Sequence, residues 1–242
     1  MNMFKGTVLC IPRSDAVRVA ATILSELGIC ITRKCEPDVT HVLLPVPSFP
    51  NGDEYLAHYL TELPDDVIIS GGNLTSPLLE QYITVDFLQD PWYLAENAAI
   101  TADCALQIIE REIPATDGCK VLVLGWGRIG KCISRLLQRK GFDVTVAARN
   151  HQDLAMLKAL GYSFVATSDA DSEISRYNLI VNTVPELILP NAGAKTEGLI
   201  LELASKPGIT GGNIITARGL PGKMAPERSG KLIAETFIRL SI

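Results

Sequence analysis

The chain has 242 residues, of which 47% are hydrophobic and 20% are charged, and its formal net charge is −5 at pH 7. Lysine and arginine form no cluster that would suggest nucleic acid, no apolar run is long enough to span a membrane, and the first residues do not resemble a secretory signal. The six cysteines are scattered without CxxC spacing, so we expect a cytoplasmic protein with reduced thiols, no metal and a small-molecule ligand.

The first part of the chain alternates short apolar runs with helical patterns, as expected of a parallel sheet flanked by helices. The predicted strands are Thr7–Ile11, Ile29–Arg33, His41–Pro45, Val67–Ser70 and Ile83–Asp86, and the predicted helical segments are Asp15–Leu27, Tyr55–Leu60 and Leu78–Gln81. We assign residues 1–95 to an N-terminal, flavodoxin-like domain that helps to form the substrate cleft. This part of the sequence contains no phosphate-binding glycine motif.

A long helical pattern, Tyr93–Ile113, then ends before Pro114 and forms the natural connector between domains. Residues 96–225 are predicted to be an NAD(P)-binding Rossmann domain. Its later strands are Ser163–Val165, Leu179–Asn182, Leu199–Glu202 and Asn213–Thr216. A final helix over residues 226–242 is expected to pack back on the first domain. The fold class is therefore α/β, with two Rossmann-like, doubly wound parallel-sheet domains and a connecting helix.

The segment Lys120–Arg149 has the order of a dinucleotide-binding βαβ unit, with a G-x-G-x-x-G motif between its first strand and its helix. Gly125 allows the tight turn, Gly127 allows the backbone to approach a pyrophosphate, and Gly130 allows close helix packing. Glycine-rich turns are common, but here the flanking strands and helix fall where the mechanism needs them. The predicted cofactor contacts in this loop are Gly125, Trp126, Gly127, Arg128, Ile129 and Gly130.

The second strand of this unit ends in Arg149 and Asn150, where an NAD-preferring unit would usually carry an acid. A guanidinium at this place can bind a 2′-phosphate with paired donors. We therefore favour NADP over NAD, with Arg149 and Asn150 as contacts. The alternative is that Arg149 is a solvated residue at the end of a strand.

Loops after the later strands lie at the same edge of the sheet, where ligands of open α/β sheets bind. The predicted cofactor contacts there are Asn182, Thr183, Val184, Pro185, Leu203 and Ala204. Cations on these loops could bind a carboxylate and polarise a carbonyl or imine, and no histidine follows His151 to act as acid or base. The catalytic candidates are therefore Lys206, Ser205 and Arg218. Solvated loop charge is the alternative for each cation.

The predicted substrate contacts come from both domains. Ser70 and Gly71 follow a strand of the first domain, and Asn97 and Thr101 lie one helical turn apart on the connector. The set is completed by Lys206, Arg218 and Lys223. A structural role is the alternative for each residue of the first domain and the connector.

Five segments of the chain are characteristic of one family. They read VLGWGRIG, VAARN, NTVPELIL, LILELASKPG and GLPGKMAPERSGKLIAE, and the last two are the most specific. Together they resemble the A subunit of dipicolinate synthase, which is the dehydrogenase component in spore-forming bacteria. The convincing match covers about residues 93–242. The resemblance implies NADP-dependent oxidation of dihydrodipicolinate, a small dicarboxylate, to dipicolinate in sporulation, with a flavoprotein-like B subunit as partner. We also expect a homo-oligomer.

Two other interpretations stay open. The first domain is shorter than is usual in the family near Arg33–Asp53 and Thr84–Asp90, which favours a non-catalytic NADP(H)-binding protein with a regulatory or assembly role. The chain could also be a dehydrogenase of another small carboxylate. The absence of histidine after His151 argues against a 2-hydroxyacid dehydrogenase.

Overall fold

The computed structural model describes residues 4–48, 54–60, 62–114 and 118–242. The chain divides into two compact units. Unit 1 consists of Met1–Asn97 and Pro221–Ile242, and unit 2 consists of Ala98–Leu220. Part of the segment Arg33–Asp53, where the sequence predicts a shortened domain, lies outside the described residues.

Each unit contains one parallel β-sheet, as the sequence predicts. The strands are β1 Thr7–Cys10, β2 Cys30–Thr32, β3 Val39–Leu43, β4 Ile68–Gly71, β5 Ile83–Asp86, β6 Lys120–Leu124, β7 Asp143–Ala148, β8 Ser163–Ala166, β9 Leu179–Asn182, β10 Leu199–Glu202 and β11 Asn213–Thr216. The sheet of unit 1 has the order β2-β1-β3-β4-β5, and the sheet of unit 2 has the order β11-β10-β9-β6-β7-β8. These are the two common doubly wound orders, flavodoxin-like and Rossmann, so the predicted fold class is confirmed.

The helices agree with the sequence at the long, amphipathic segments. They are α1 Asp15–Glu26, α2 Glu54–Leu60, α3 Pro91–Glu112, α4 Arg128–Arg139, α5 His151–Ala159, α6 Ala170–Glu173, α7 Leu220–Met224 and α8 Pro226–Ser241. The sequence does not predict α5, α6 or α7, and the predicted turn Leu78–Gln81 is a 3-10 helix over Pro77–Leu79. Within the described residues, no helix combines the length and the apolar character that crossing a membrane requires.

The central strands of unit 2 are apolar because both faces of the sheet are covered. Val121, Leu122, Val123 and Leu124 of β6 are fully buried, as expected for a strand in the middle of a parallel sheet. In open α/β sheets, ligands bind outside the carboxyl ends of the strands. The fold therefore places the glycine motif, which follows β6, at the edge where a site can form.

Asp90 joins the start of α3 to the end of α8 within unit 1. One carboxylate oxygen accepts a hydrogen bond from the backbone N–H of Tyr93 at 2.7 Å, which caps the helix. Both terminal nitrogens of the Arg239 guanidinium donate to the same carboxylate, at 2.9 and 2.6 Å. The hydrogen bonds from Arg239 hold the pKa of Asp90 below its usual value. The carboxylate thus links the start of α3 to α8.

His41 of β3 is a buried contact to the end of α8. Its Nε2 lies 2.9 Å from the backbone oxygen of Ser241, and its Nδ1 lies 2.9 Å from the hydroxyl of Thr40. The rings of Phe4 and Phe237 lie edge-on to the imidazole, with centroids at 5.0 and 6.0 Å. Burial lowers the pKa of His41, and the hydrogen bond to Ser241 opposes that change only in part.

We expect the stability of unit 1 to fall as the pH drops below about 6.5, the ordinary pKa of histidine. Histidine in the unfolded chain is protonated near that pH, whereas His41 in the folded chain is protonated only at a lower pH. Protonation therefore stabilises the unfolded state relative to the folded state. Urea unfolding at pH 7.5 and pH 5.5 should show a larger loss for the native protein than for His41→Gln. An unchanged pH dependence in His41→Gln would contradict this assignment.

Candidate functional site

A cleft of about 710 Å³ opens in unit 2 at the carboxyl ends of β6, β7, β8 and β9. Its volume is in the range of small-molecule sites, and it lies where the strand order reverses between β6 and β9. The sequence-predicted residues that line it are Gly125, Trp126, Gly127, Arg149, Asn150, Thr183, Val184 and Pro185. The fold therefore brings together the glycine loop, the end of β7 and the loop after β9.

The three glycines of the motif differ in what surrounds them. Gly125 has φ +97°, and a Cβ there would lie 2.7 Å from Oγ1 of Thr183. A Cβ on Gly130 would lie 2.1 Å from the carbonyl oxygen of Gly125, so α4 packs directly on the turn. A Cβ on Gly127 would meet nothing within 4 Å. Gly125 and Gly130 are therefore required by packing, whereas Gly127 leaves open space beside the cleft that it lines.

The N-terminus of α4 fits an anionic ligand. Gly127 is the N-cap residue, and no side chain of the described residues caps the helix there. The first backbone N–H groups and the positive end of the helix dipole are left for a ligand, which is how dinucleotide-binding folds hold a pyrophosphate. The residues present thus fit a dinucleotide. Arg128, Ile129 and Gly130 do not line the cleft; they form the first turn of α4 next to Gly127, and their contacts with a cofactor stay a prediction.

Arg149 lies at the mouth of the cleft opposite a carboxylate that the sequence analysis missed. Its guanidinium is 3.4 Å from the carboxylate of Glu186, with the two side chains 82% and 67% exposed. Both residues line the cleft. A 2′-phosphate that binds Arg149 would compete with Glu186 for the same donors. The acid in the loop after β9 is visible in the sequence, but only the fold places it beside Arg149.

The predicted cofactor contacts Asn182, Leu203 and Ala204 lie inside unit 2, and their contact with a cofactor stays a prediction. All three are buried, and none lines the cleft. The amide of Asn182 is fully buried and donates to the carboxylate of Glu202 at 2.7 Å. Its amide also contacts the backbone of Val184, so it supports the loop after β9. The hydroxyl of Thr183 donates to the backbone oxygen of Leu124 at 2.8 Å, which fixes the start of the same loop.

The catalytic candidates lie on the loops after β10 and β11. Ser205 and Lys206 are exposed, and Arg218 is half-buried with its Nε donating to the backbone oxygen of Ala204 at 3.0 Å. This hydrogen bond joins the two loops, so Arg218 has a structural role there. None of the three lines the cleft around the glycine loop. Lys223 is exposed on α7, in the segment that belongs to unit 1.

Two predicted substrate contacts of unit 1, Ser70 and Gly71, are interior residues. The hydroxyl of Ser70 is fully buried and lies 2.8 Å from the hydroxyl of Ser241 on α8. Gly71 is buried too, and a Cβ there would lie 2.7 Å from the Ser48 hydroxyl. The turn after β4 is therefore packed against its own domain, and the substrate contacts of Ser70 and Gly71 stay a prediction. Asn97 is half-buried and Thr101 is buried on α3.

Comparison with known proteins agrees with the resemblance seen in the sequence. The chain is 33% identical over 134 residues to the A subunit of dipicolinate synthase from Bacillus subtilis (strain 168), and this match covers 51% of the chain and 45% of that protein. The sequence match thus spans about half the length of the curated relative. No family model matches the chain.

Two solved structures have the same fold over almost the whole chain. The A chain of dipicolinate synthase from Bacillus subtilis superposes with a TM-score of 0.83 at 22% identity, covering 98% of this chain and 96% of that one. Its counterpart from Bacillus halodurans superposes with a TM-score of 0.81 at 21% identity, covering 97% of each chain. At these identities the likeness establishes the two-unit α/β fold.

Proposed function

We propose that the chain is an NADP-dependent oxidoreductase that oxidises dihydrodipicolinate to dipicolinate. The observation that carries the proposal is the cleft of unit 2, where Gly127 leaves space at the uncapped N-terminus of α4. The similarity to the A subunit of dipicolinate synthase supports the choice of substrate. We further propose a flavoprotein-like B subunit as partner, and a homo-oligomer.

Different residues of unit 2 would bind different parts of the cofactor and the substrate. NADP, when bound, supplies the hydride acceptor. Backbone N–H groups in the first turn of α4 would hold the pyrophosphate, and Arg149 and Asn150 would bind the 2′-phosphate. The loop 183–185 would flank the nicotinamide ribose. Lys206 and Arg218 would bind a carboxylate of the substrate and stabilise charge near the reacting ring.

The test is the appearance of NADPH when the protein is mixed with NADP and freshly generated dihydrodipicolinate, alone and together with a B subunit. We expect turnover in at least one of these mixtures. An absence of NADPH in both would refute the proposed reaction. A parallel experiment with NAD measures the cofactor preference.

A non-catalytic, nucleotide-binding role is the second candidate. It is favoured by one observation, which is that Ser205, Lys206 and Arg218 do not line the cleft around the glycine loop. Calorimetry that finds tight NADP(H) binding, without hydride transfer to any cyclic diacid, would support a regulatory or assembly role. Failure to bind either nucleotide would count against both candidates.

Arg149→Asp is expected to weaken NADP binding by roughly one to a few kcal/mol, the size of a charge-assisted contact, and to change NAD binding little. Glu186→Gln is expected to strengthen NADP binding, by at most about 1 kcal/mol for an exposed pair, because it removes the competing carboxylate. Calorimetric titration with both nucleotides measures these changes.

The matched control for Arg149→Asp is Arg139→Asp, which makes the same charge change at the exposed, far end of α4. It should leave the ratio of the two affinities unchanged. If Arg149→Asp lowers NADP and NAD affinity equally, Arg149 does not bind the 2′-phosphate.

A further inference from the structure

We propose that Glu202 is a positioning residue. It does not line the cleft, but it fixes both ends of the segment 184–189, which forms one wall of the cleft. The wall follows β9, and it supplies one side of the cleft. The proposal rests on the proposed nucleotide site for its functional consequence. Its structural basis is a chain of hydrogen bonds that starts at one buried carboxylate.

The Glu202 carboxylate lies at the end of β10, and the residue is only 2% exposed. One oxygen accepts hydrogen bonds from the side-chain amide of Asn182 at 2.7 Å and from the backbone N–H of Ala204 at 3.1 Å. The other oxygen accepts from the backbone N–H of Gly208 at 2.9 Å. Among the described residues it has no ion pair. A buried carboxylate without a cation is costly unless hydrogen-bond donors surround it. The three donors to Glu202 offset this cost.

The first end of the wall is held through Asn182. Asn182 and Glu202 face each other in the parallel pairing of β9 with β10. Because a carboxylate only accepts, the NH₂ group of Asn182 must face it. The amide then donates to the backbone oxygen of Val184 and accepts from its N–H, both at 3.1 Å. Glu202 thereby determines how Asn182 holds Val184, which lines the cleft.

The second end of the wall is held through Gly208. Its N–H donates to Glu202, and its carbonyl oxygen accepts from the N–H groups of Ile188 at 2.9 Å and Leu189 at 3.1 Å. Both of those residues line the cleft. A Cβ at position 208 would lie 2.3 Å from the Asn182 amide nitrogen and 2.9 Å from two backbone oxygens of the wall. Only glycine fits there, so the NTVPELIL and ELASKPG segments act as one unit.

The same carboxylate also holds the turn that contains Ser205 and Lys206, two of the three catalytic candidates. Ser205 and Lys206 lie between Ala204 and Gly208, and the N–H groups of the latter two both donate to Glu202. The carboxylate of Glu202 therefore holds both the wall, residues 184–189, and the turn that contains Lys206. We expect a substitution at Glu202 to displace the wall and the turn, although Glu202 itself does not line the cleft.

The test is Glu202→Gln, which replaces one acceptor oxygen by a donor and sets an NH₂ group against at least one of the three donors. We expect the Kd for NADP(H) to rise at least tenfold while circular dichroism at the assay temperature stays native. Amide hydrogen exchange should become faster at Ala204, Gly208, Ile188 and Leu189. The control is Glu197→Gln, at an exposed glutamate just before β10, which should change neither quantity.

A second pair of variants keeps the proposal testable if Glu202→Gln folds poorly. Asn182→Asp sets two carboxylates against each other and should weaken binding further. The double variant Asn182→Asp with Glu202→Gln restores one donor–acceptor pair and should recover part of the affinity and of the exchange protection. A purely general loss of stability would add in the double variant and recover nothing.

The outcomes separate this proposal from the proposed function. If the native protein binds nucleotide and a folded Glu202→Gln binds it equally well, the positioning role is refuted. If the native protein binds no nucleotide, the proposed function fails, and the hydrogen exchange of the wall still decides whether Glu202 holds it. Unchanged exchange at Ile188 and Leu189 would overturn the proposal in either case.

Discussion

Alanine at Gly130 is expected to destabilise unit 2 by about 3 kcal/mol, the upper part of the usual range for overpacking a tight site. The added Cβ would lie 2.1 Å from the carbonyl oxygen of Gly125 and 3.3 Å from Oγ1 of Thr183. The nearest of these atoms is backbone, so it cannot move without displacing the turn between β6 and α4. Gly125 itself has φ +97°, so the turn has little freedom to adapt.

Alanine at Gly127, three residues earlier, is expected to change folding stability by less than about 1 kcal/mol, the usual cost of replacing a glycine N-cap by alanine. Its φ of −78° and ψ of −169° suit any residue, and the new Cβ meets no protein atom within 4 Å. That space is where a pyrophosphate would approach the backbone. We therefore expect nucleotide affinity to fall at least tenfold, or about 1.4 kcal/mol.

Urea unfolding and calorimetric titration on both variants measure the contrast. Gly130→Ala should lose stability first and binding as a consequence, whereas Gly127→Ala should lose binding alone. If Gly127→Ala binds NADP and NAD as the native protein does, the nucleotide does not lie over this loop. If Gly130→Ala is as stable as the native protein, α4 does not pack on the turn as described.

Several short strands were predictable from apolar residues bounded by polar loops, whether the strand is fully buried, as β9 is, or partly exposed, as β11 is. The sequence predicts β9, β10 and β11 with the bounds that the structure has, because each is an apolar run between polar loops. Helix α5 was missed because its apolar residues do not form one clean face. Leu157 is buried, whereas Met156 and the following Leu160 are about half exposed. Periodicity carries no clear signal in such a segment.

The site was predictable only where it is local in sequence. The glycine loop and Arg149 lie within thirty residues of chain, and the spacing of that βαβ unit places them at one edge of the sheet. The link between Asn182 and Glu202 depends on the pairing of β9 with β10, which no local pattern determines. Ser70 shows the same dependence on the fold. It lies near the end of a strand, as a ligand residue would, and its hydroxyl lies 2.8 Å from that of Ser241 on α8 within unit 1.

Alanine at Gly230 on α8 is expected to destabilise unit 1, although alanine is the better helix former. The helix preference favours alanine by about 1 kcal/mol. Against it, the new Cβ would lie 2.5 Å from Cβ of Val19 and 2.6 Å from the backbone oxygen of Ala16 on α1. A clash with backbone usually costs about 1–3 kcal/mol or more. Since the two helices cannot separate without exposing the core between them, we expect a net loss of about 2 kcal/mol.

Gly222→Ala on α7 is the matched control within the same sequence motif, GLPGKMAPERSGKLIAE. A Cβ there would meet nothing within 4 Å, so only the helix preference acts, and we expect unchanged or slightly higher stability. Urea unfolding of both variants decides the question. A stabilised Gly230→Ala would mean that α1 and α8 pack less closely than described. If the two variants change the free energy of unfolding in opposite directions, the close approach of α1 and α8 explains why position 230 is glycine, and no ligand is required to explain it.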